Sequence, residues 1–294
     1  MNLATEQDKA VLGVYRTGSH HMVGDGFPVR NLFPSNELDR ELSPFLLLDY
    51  AGPFEFPPTP HPRGVGEHPH RGFETVTIMY QGILTHRDSA GNGGTIGPGD
   101  VQWMTAASGV VHEEMHEREF ARRGGTLEAV QLWVNLPHAL KMSAPRYQTL
   151  LNGDIPTVTL KGGAGRLRVI AGEYGGVKGP AQSHTPVHVY DLRLVADRPT
   201  ELPLIPGFNS AVVLLQGEAT INSTHVLHEA ELALLAKTGE RIVIEARRDS
   251  TLLILSGKPI DEPIARYGPF VMTTRAELVE AAQDYQAGKM GHLT

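Results

Sequence analysis

Short stretches of alternating apolar and polar residues follow one another through the first half of the chain. The segment 73–81, FETVTIMYQ, alternates with a period of two and is followed by Gly82, as expected of a strand that ends in a turn. The pattern recurs in ILTHRD, VQWMTA, VVHEEMH and EAVQLWVNLP, with Gly-containing connections between several of them. Short strands joined by turns at this spacing predict an all-β sandwich or barrel.

The strand pattern of the first half returns in the second half. The segment PGFNSAVVLLQGEATINS resembles HPHRGFETVTIMYQGILTHRDS, and Gly217 falls on Gly82 at an offset of 135 residues. A segment interrupted by prolines, NLPHALKMSAPRYQTLLNG, separates the two copies. We therefore expect two similar barrels, over residues 1–140 and 141–294.

The C-terminal segment TTRAELVEAAQDYQAGKMG predicts a helix. Thr274 and Glu277 have the spacing of a capping box, and Gly288 suits the C-terminal end. We expect one face of this helix to pack on a barrel, namely the face of Leu278, Ala281, Ala282 and Tyr285.

The segment 51–67 is crowded with Pro and Gly and follows a buried strand predicted over SPFLLLD. Proline and glycine at this density predict irregular structure. A long irregular segment inside a compact domain usually serves a function, so we expect 51–67 to form the rim of a site.

Composition narrows the possible functions. Of the 294 residues, 40% are hydrophobic and 20% are charged, which is typical of a globular protein. The net charge of −7, without a basic stripe, argues against direct nucleic-acid binding. The absence of Cys excludes disulfides, thiolate catalysis and Cys-ligated zinc. The sequence has neither a signal-peptide pattern nor a run of about 18 apolar residues, so we expect a cytoplasmic protein.

Two short segments carry a candidate metal site. His68 and His70 lie in EHPHRGFET, and His112 and Glu114 lie in GVVHEEMHE, each pair two residues apart. Residues two apart on a strand point to the same face, and Pro69 stiffens the backbone between the first two. If the two strands face each other across a barrel, three imidazoles and one carboxylate converge on one divalent metal. The ligand types alone allow Fe(II), Ni, Mn, Cu or Zn.

The repeat distinguishes the two predicted barrels. At the offset of 135 residues, Pro203 stands in the place of His68 and Ile205 in the place of His70. The second barrel is therefore predicted to keep the strands and to lack the metal.

A different metal motif overlaps the candidate site. His112, Glu113 and His116 spell H-E-x-x-H, the signature of zinc proteases, in which one helix carries both histidines and the general base. The segment HEEMHEREFARR has helical propensity, whereas the residues before it favour a strand. A strand over 110–114 would exclude the protease.

Glu74 is a further candidate, because it lies four residues beyond His70 and would face the same side of a continuous strand. It is expected to support or orient the ligands rather than to replace Glu114. We expect the remaining histidines singled out along the chain to be ordinary surface or core residues: His61, His86, His138, His184, His188, His225 and His228.

The segments HPHRGFETVTIMYQG, PGDVQWMTAASGVVHEEM and QLWVNLP resemble the pirin family of the cupin superfamily. The resemblance implies two tandem cupin barrels of the double-stranded β-helix or jelly-roll type, with a C-terminal helix and a metal in the N-terminal barrel only. It also implies that one iron, Fe(II), is bound by His68, His70, His112 and Glu114. It places 110–114 on a strand and so disfavours the protease.

The same resemblance implies an oxidoreductase. Some bacterial pirins resemble quercetin 2,3-dioxygenases in activity and open a flavonol ring oxidatively, so the expected substrates are a flavonol-type aromatic and O₂. Four protein ligands in an octahedral shell leave two open positions, and Glu114 would serve as both ligand and proton acceptor. Pirin-like proteins are also implicated as redox-responsive regulators that bind protein partners. A non-enzymatic regulator is therefore the alternative.

Overall fold

The computed structural model describes residues 7–16, 20–33 and 38–293. The strands in chain order are β1 (Val11–Arg16), β2 (His20–Val23), β3 (Phe27–Asn31), β4 (Phe45–Phe56), β5 (Gly64–His70), β6 (Phe73–Gln81), β7 (Leu84–Asp88), β8 (Gly93–Ile96), β9 (Val101–Thr105), β10 (Val110–His116), β11 (Gly125–Asn135), β12 (Arg146–Leu150), β13 (Thr157–Thr159), β14 (Gly165–Ala171), β15 (Glu173–Tyr174), β16 (Val177–Lys178), β17 (Val187–Leu194), β18 (Thr200–Pro203), β19 (Asn209–Ile221), β20 (His225–His228), β21 (Glu231–Leu235), β22 (Arg241–Gly257), β23 (Ala265–Tyr267) and β24 (Phe270–Met272).

Helices are few and short beside these strands. The α-helices are α1 (Asp39–Leu42), α2 (Arg118–Arg123) and α3 (Arg275–Gln286), and single 3₁₀ turns cover His138–Leu140, Asn152–Asp154 and Lys161–Gly163. The predicted all-β architecture with a C-terminal helix is confirmed.

The chain forms two compact units that are not two linear halves. One unit contains the described residues of Met1–Gly18, Leu32–Phe45 and Gly153–Pro259. The other contains those of Ser19–Asn31, Leu46–Asn152 and Ile260–Thr294, and we call it the histidine unit because it holds His68, His70 and His112. The expected ranges 1–140 and 141–294 differ from this division at both ends of the chain. The division depends on which distant strands pair and where the helix packs, and a local sequence pattern does not predict such contacts.

The histidine unit has two larger antiparallel sheets with an apolar core between them, and the two-stranded hairpin of β23 and β24. Seven strands pair in the order β12-β9-β6-β11-β4-β3-β2, and four pair in the order β5-β10-β7-β8. Both sheets contribute to a buried apolar cluster, which consists of Phe27, Val29, Ala51, Phe56, Met79, Leu84, Ile96, Phe120, Leu127 and Ala129. The four-stranded sheet carries both predicted ligand segments.

The other unit repeats the seven-stranded sheet. Its central strands pair in the order β1-β21-β19-β22-β17-β14-β13, with β18 added beside β22 and β20 beside β19. Strand β19 thus takes the place of β6, and the predicted match of Gly217 to Gly82 holds in the backbone, because both have a positive φ, of 102° and 85°. Such a φ favours glycine. Leu, Ile, Val and Ala side chains dominate the core of this unit.

The Pro-rich segment is more regular than predicted. Strand β4 continues through Pro53 to Phe56, and β5 begins at Gly64. The irregular segment is therefore 57–63 rather than 51–67. Proline is compatible with a strand where its position needs no ladder N–H, and a count of Pro and Gly cannot detect such positions.

Helix α3 begins as the sequence predicts. Thr274 caps it, and the side chain of Glu277 reaches back to the Thr274 N–H, so the capping box is complete. Leu278 and Ala281 are buried in a cluster with Val111 of β10, whereas Tyr285 is 37% exposed. The helix thus covers the outer face of the strand that carries His112.

The zinc-protease alternative is wrong. Residues 110–116 form β10, which pairs with β5 on one side and β7 on the other. On a strand, His112 and His116 are about 13 Å apart along the chain instead of one helical turn, and Glu113 points to the opposite face. Glu113 instead contacts Arg87, and the His116 ring lies against Phe27 and Phe56. No helix within the described residues is long and apolar enough to cross a membrane.

Candidate metal centre

Three of the predicted ligands lie on two neighbouring strands. Strands β5 and β10 are hydrogen-bonded antiparallel, with His112 directly opposite His68 and Val110 opposite His70. The two pairs therefore do not face each other across a barrel, as the sequence led us to expect. Side chains opposite each other on neighbouring strands already lie close together, so a single sheet is enough to bring them together.

The three imidazoles converge. The ring of His68 lies 4.2 Å from that of His112 and 4.8 Å from that of His70, measured between centroids. The rings of His70 and His112 are 4.8 Å apart. One nitrogen from each ring can be chosen so that all three lie within 4.8 Å of one another.

The Nδ1 atom of each of these three rings has a polar neighbour, which is a backbone carbonyl for His68 and His70 and the His86 ring for His112. Nδ1 of His68 lies 2.8 Å from the Gly66 carbonyl, and Nδ1 of His70 lies 3.4 Å from the Pro269 carbonyl. A carbonyl only accepts, so both Nδ1 atoms carry the proton and both Nε2 atoms carry a lone pair. Nε2 of His112 is buried and has no hydrogen-bond partner among the described residues.

Burial keeps two of the rings neutral. The pKa of His70 is held well below its usual value by burial and then by the neighbouring His68. The pKa of His112 is likewise held well below its usual value, by burial and then by His70, His68 and His86. A neutral imidazole is the form that binds a metal.

Glu114 lies beside this trio but does not join it at the same spacing. It forms a second close group with His86 and His112, so the two groups share His112. Its Oε1 lies 3.1 Å from the Thr77 hydroxyl and its Oε2 lies 3.4 Å from Nε2 of Gln131. Two residues of the seven-stranded sheet thus orient the carboxylate.

A polar row on the seven-stranded sheet lies behind the site. Gln102 of β9, Thr77 of β6 and Gln131 of β11 are directly opposite one another across the three strands. The Gln102 side chain contacts His86, and the side chains of Thr77 and Gln131 contact Glu114 and each other. This row was not among the residues predicted from the sequence. Its signal is one polar residue at the same inward position of three strands, which becomes visible only when the strand register is known.

His86 also has a place in the site that was not predicted from the sequence. It was expected to be an ordinary histidine, yet it is buried on β7 opposite Glu114, and its Nδ1 lies 3.3 Å from Nδ1 of His112. Its Nε2 lies 3.6 Å from Oδ2 of Asp88. Burial raises the pKa of Asp88, but the nearby His86 ring and the hydrogen bonds from Asn92 outweigh burial and lower it overall.

Glu74 is not part of either group. The chain turns at Gly72, whose φ is 92°, so Glu74 lies on β6 and not on a continuation of β5. Its Oε1 accepts a hydrogen bond of 2.7 Å from the Thr105 hydroxyl, and the residue is fully buried. The expectation that it shares the strand face of His70 is wrong, because the intervening turn changes the strand.

Apolar surfaces flank the polar groups. Phe73 and Trp133 stand at 5.2 and 5.4 Å from the ring of His70. A cavity of about 60 Å³ opens beside Glu114, Thr77 and Gln131. Its other lining residues are mostly apolar: Val23, Phe27, Val29, Asp49, Ala51, Val65, Ala129 and Val130.

The donor set fits a divalent first-row metal. Neutral imidazoles with protonated Nδ1 atoms present their Nε2 lone pairs, and a carboxylate lies next to them. A buried Nε2 of His112 without a hydrogen-bond partner is costly unless something accepts its lone pair. Imidazole with carboxylate suits iron, nickel, copper, manganese or zinc.

Two family models match the chain. The model described as Pirin matches residues 26–134, and the model described as Pirin C-terminal cupin domain matches residues 189–291. The chain belongs to the pirin family. The first match contains the four predicted ligands of this pirin together with His86. The predicted fold, two cupin barrels with a C-terminal helix, is confirmed.

Similar pirins span nearly the whole chain. "Putative quercetin 2,3-dioxygenase PA2418" of Pseudomonas aeruginosa is 57% identical over 281 residues, which are 96% of this chain and 98% of that protein. A pirin-like protein of Solanum lycopersicum is 41% identical, over 91% of this chain and 88% of its own. The crystal structure of quercetin 2,3-dioxygenase from Acinetobacter baumannii superposes with a TM-score of 0.95 at 50% identity, and covers 98% of this chain and 100% of that one.

Proposed function

We propose that this pirin is a metal-dependent dioxygenase that uses O₂ to open the ring of a flavonol-type aromatic. One observation carries the proposal: three buried or half-buried histidines with Nδ1 occupied converge beside the buried carboxylate of Glu114. The names of the relatives from P. aeruginosa and A. baumannii support the reaction class.

We assign the metal to four residues, His68, His70, His112 and Glu114, and expect it to be Fe(II). The first three already form one close group, and Glu114 is tied to them through the shared His112. The bound metal would supply a Lewis acid and a centre that reacts with O₂. Four ligands would leave room for further ones in an octahedral shell.

Glu114 is the residue to which we assign the proton of the flavonol hydroxyl. A carboxylate next to the reacting hydroxyl can act as general base if its orientation is fixed. The Thr77 hydroxyl has one proton, which it can give to Glu114 or to Gln131, and the amide of Gln131 reaches the other oxygen of Glu114. These contacts hold the carboxylate on the side of the apolar cavity.

The cavity of about 60 Å³ is smaller than the roughly 300–1,000 Å³ of pockets that enclose ligands of drug size, so its apolar lining would contact one part of an aromatic substrate. Val65, Phe27 and Val29 bound the cavity next to Glu114, and a substrate that filled it would displace water from the carboxylate. Excluding water strengthens the electrostatic interactions of the carboxylate. Val65 belongs to β5, so the strand that carries His68 and His70 also lines the cavity.

Oxygen uptake tests the proposal. We expect iron-loaded protein to consume O₂ when a flavonol is added, and we expect H112A to bind less metal and to show no uptake. H184N is the matched control, because His184 is an exposed histidine of the other unit. Metal content and far-UV circular dichroism are measured on all three proteins.

Two results would count against the enzyme. Undiminished ring opening in metal-stripped protein would contradict metal dependence. Full metal loading without any O₂ uptake would favour the redox-responsive regulator, and a protein partner that binds one metal oxidation state would then be sought.

A further inference from the structure

We propose that His86 is a positioning residue that fixes the tautomer of His112 and thereby directs the Nε2 lone pair of His112 to the metal. The inference rests on the proposed metal site and is independent of the substrate. His86 itself is not assigned as a ligand.

The proposal begins with a contact between two buried rings. Nδ1 of His112 lies 3.3 Å from Nδ1 of His86, and the ring centroids are 5.2 Å apart. Both residues are buried, at 0% and 4% exposure, so water does not serve these nitrogens. Two nitrogens at this distance form a hydrogen bond only if one carries the proton and the other accepts it.

Gln102 decides which ring accepts. Its amide Nε2 lies 3.1 Å from Nδ1 of His86, and an amide nitrogen can only donate. Nδ1 of His86 is therefore the acceptor, with its one lone pair shared between the Gln102 amide and the His112 ring. The proton of the His86 ring stands on Nε2. That nitrogen faces Asp88 at 3.6 Å, which is too long for a hydrogen bond but favours an N–H directed at a carboxylate.

Asp88 is itself held in place as an acceptor. Its Oδ1 accepts the backbone N–H groups of Ala90 and Asn92 at 2.9 and 3.0 Å, and the Asn92 amide reaches both of its oxygens. The turn after β7 thus fixes the carboxylate, and the carboxylate fixes the orientation of His86.

The consequence for His112 follows from the acceptor role of His86. His112 must carry its proton on Nδ1, so that its Nε2 has a lone pair, and this is the nitrogen that is buried without a hydrogen-bond partner among the described residues. His68 and His70 obtain the same tautomer from backbone carbonyls. Of the three histidines, only His112 has its tautomer fixed by a side chain. A single substitution of His86 can therefore change the tautomer of His112.

The close group of His86, His112 and Glu114 suggests a rival role, in which His86 is a ligand. Its Nδ1 is already in contact with Gln102 and His112, and its Nε2 faces Asp88. Nδ1 thus has two contacts, and Nε2, which has no hydrogen-bond partner among the described residues, faces a carboxylate that attracts an N–H. This arrangement favours positioning over coordination.

Two substitutions of His86 distinguish its role as a hydrogen-bond acceptor from the packing of its ring. In H86N, the amide oxygen can take the place of Nδ1 as acceptor, whereas in H86F the ring is kept and the acceptor is lost. The ring matters because His86 stacks on Tyr147, with centroids 4.8 Å apart and an angle of 8°. H184N is the control for loss of a histidine away from the site.

Cobalt(II) binding to metal-stripped protein is the first readout. Outer-shell partners of metal-bound histidines typically contribute 10–100-fold to metal affinity, so we expect the Kd of H86F to rise about 10–100-fold and that of H86N to stay closer to the unaltered protein. Equal affinity of H86F and the unaltered protein would overturn the proposal. Loss of one coordinated imidazole in H86N, seen by X-ray absorption, would make His86 a ligand and would also overturn it.

The tautomer of His112 is the second readout. It is measured on the unaltered protein, so it does not depend on whether the His86 variants fold. Long-range ¹H–¹⁵N NMR of the metal-stripped protein is expected to show the proton of His112 on Nδ1, with the signals assigned by their absence in H112A. A proton on Nε2 would overturn the proposal. Absence of cobalt binding by the unaltered protein would instead overturn the metal site itself, and the proposal with it.

Discussion

At the scale of single residues, the orientation of Glu114 depends on uncharged neighbours. Thr77 and Gln131 lie opposite each other on β6 and β11, and both reach across to the carboxylate on the four-stranded sheet. A carboxylate that must both bind a metal and take up a proton needs such fixed partners. The hydroxyl of Thr77 is the shorter of the two contacts to Glu114.

We predict that T77V lowers the turnover number for a flavonol about 10-fold, as is typical for loss of an outer-shell partner. Valine keeps the shape of threonine and removes the hydroxyl, so Glu114 loses one orienting contact. T77S is the control, because it restores the hydroxyl, and oxygen uptake by iron-loaded protein is the measurement. Unchanged turnover in T77V would show that Gln131 alone orients the carboxylate.

The sequence predicts the three histidines of the site better than it predicts the residues that orient them. His68, His70 and His112 could be found because the i, i+2 spacing fixes one strand face, a purely local property. His86 and Gln102 could not be found in this way. Each is a single polar residue on its own strand, and only the register of β7, β9 and β10 brings them to His112.

At the scale of elements, a buried lysine stabilises the turn between β5 and β6 by hydrogen bonds. Nζ of Lys141 donates to the carbonyls of Gly72 and Val271 and to the side-chain oxygen of Asn135, at 2.6–2.9 Å. Burial lowers the pKa of Lys141 to about 7, but its three acceptors match the three N–H groups of the ammonium form. Gly72 directly follows the segment that carries His70, so this lysine stabilises one edge of the site.

We predict that K141M destabilises the protein by about 3 kcal/mol, because the carbonyls of Gly72 and Val271 lose this donor and each unsatisfied buried acceptor costs about 1–3 kcal/mol before relaxation. The Asn135 oxygen keeps the Leu136 N–H as a donor. Urea unfolding of metal-stripped protein measures the change. K178M is the control, because the side chain of Lys178 is 81% exposed. An unfolding midpoint equal to that of K178M would mean that Lys141 contributes nothing to stability.

Helix α3 carries a pH-dependent contribution in its capping box. Burial raises the pKa of Glu277, but hydrogen bonds from Thr273, His138 and Thr274 outweigh burial and lower it from 4.5 to about 2. A carboxylate with a lowered pKa in the folded state stabilises that state above its unfolded pKa. It loses this contribution as the pH falls through the folded pKa.

We therefore predict that the stability difference between the unaltered protein and E277Q is constant above about pH 5 and declines between pH 4.5 and about 2. Urea unfolding of the metal-stripped proteins across this range tests it. E280Q removes an exposed carboxylate from the same helix and is the control. A difference that does not depend on pH would contradict the assigned role of Glu277.

At the scale of the whole molecule, two units share a seven-stranded order, but their chemistry differs. In place of His68 and His70, the repeat has Pro203 and Ile205, which are not metal ligands. The sequence predicts the two barrels because the strand pattern repeats. It does not predict that the C-terminal residues Ile260–Thr294 complete the histidine unit, since that association is entirely non-local.

We predict one tightly bound metal for each chain. Elemental analysis of protein purified without added metal should give at most one equivalent, and the double variant H68A/H112A should give none. A second equivalent that survives in H68A/H112A would reveal a site outside the histidine unit. Such a result would contradict the conclusion from the repeat.

The interleaved composition of the histidine unit has a consequence for how this protein is made. The ribosome completes the strands with the metal ligands before it makes Gly153–Pro259 of the other unit. Helix α3, which covers Val111 and supplies Asp284 to the buried Arg71, follows only after that segment. The histidine unit is therefore incomplete until α3 has been made. Metal insertion is expected to follow the synthesis of α3, and a nascent chain stalled after residue 150 should bind no cobalt where the released protein does.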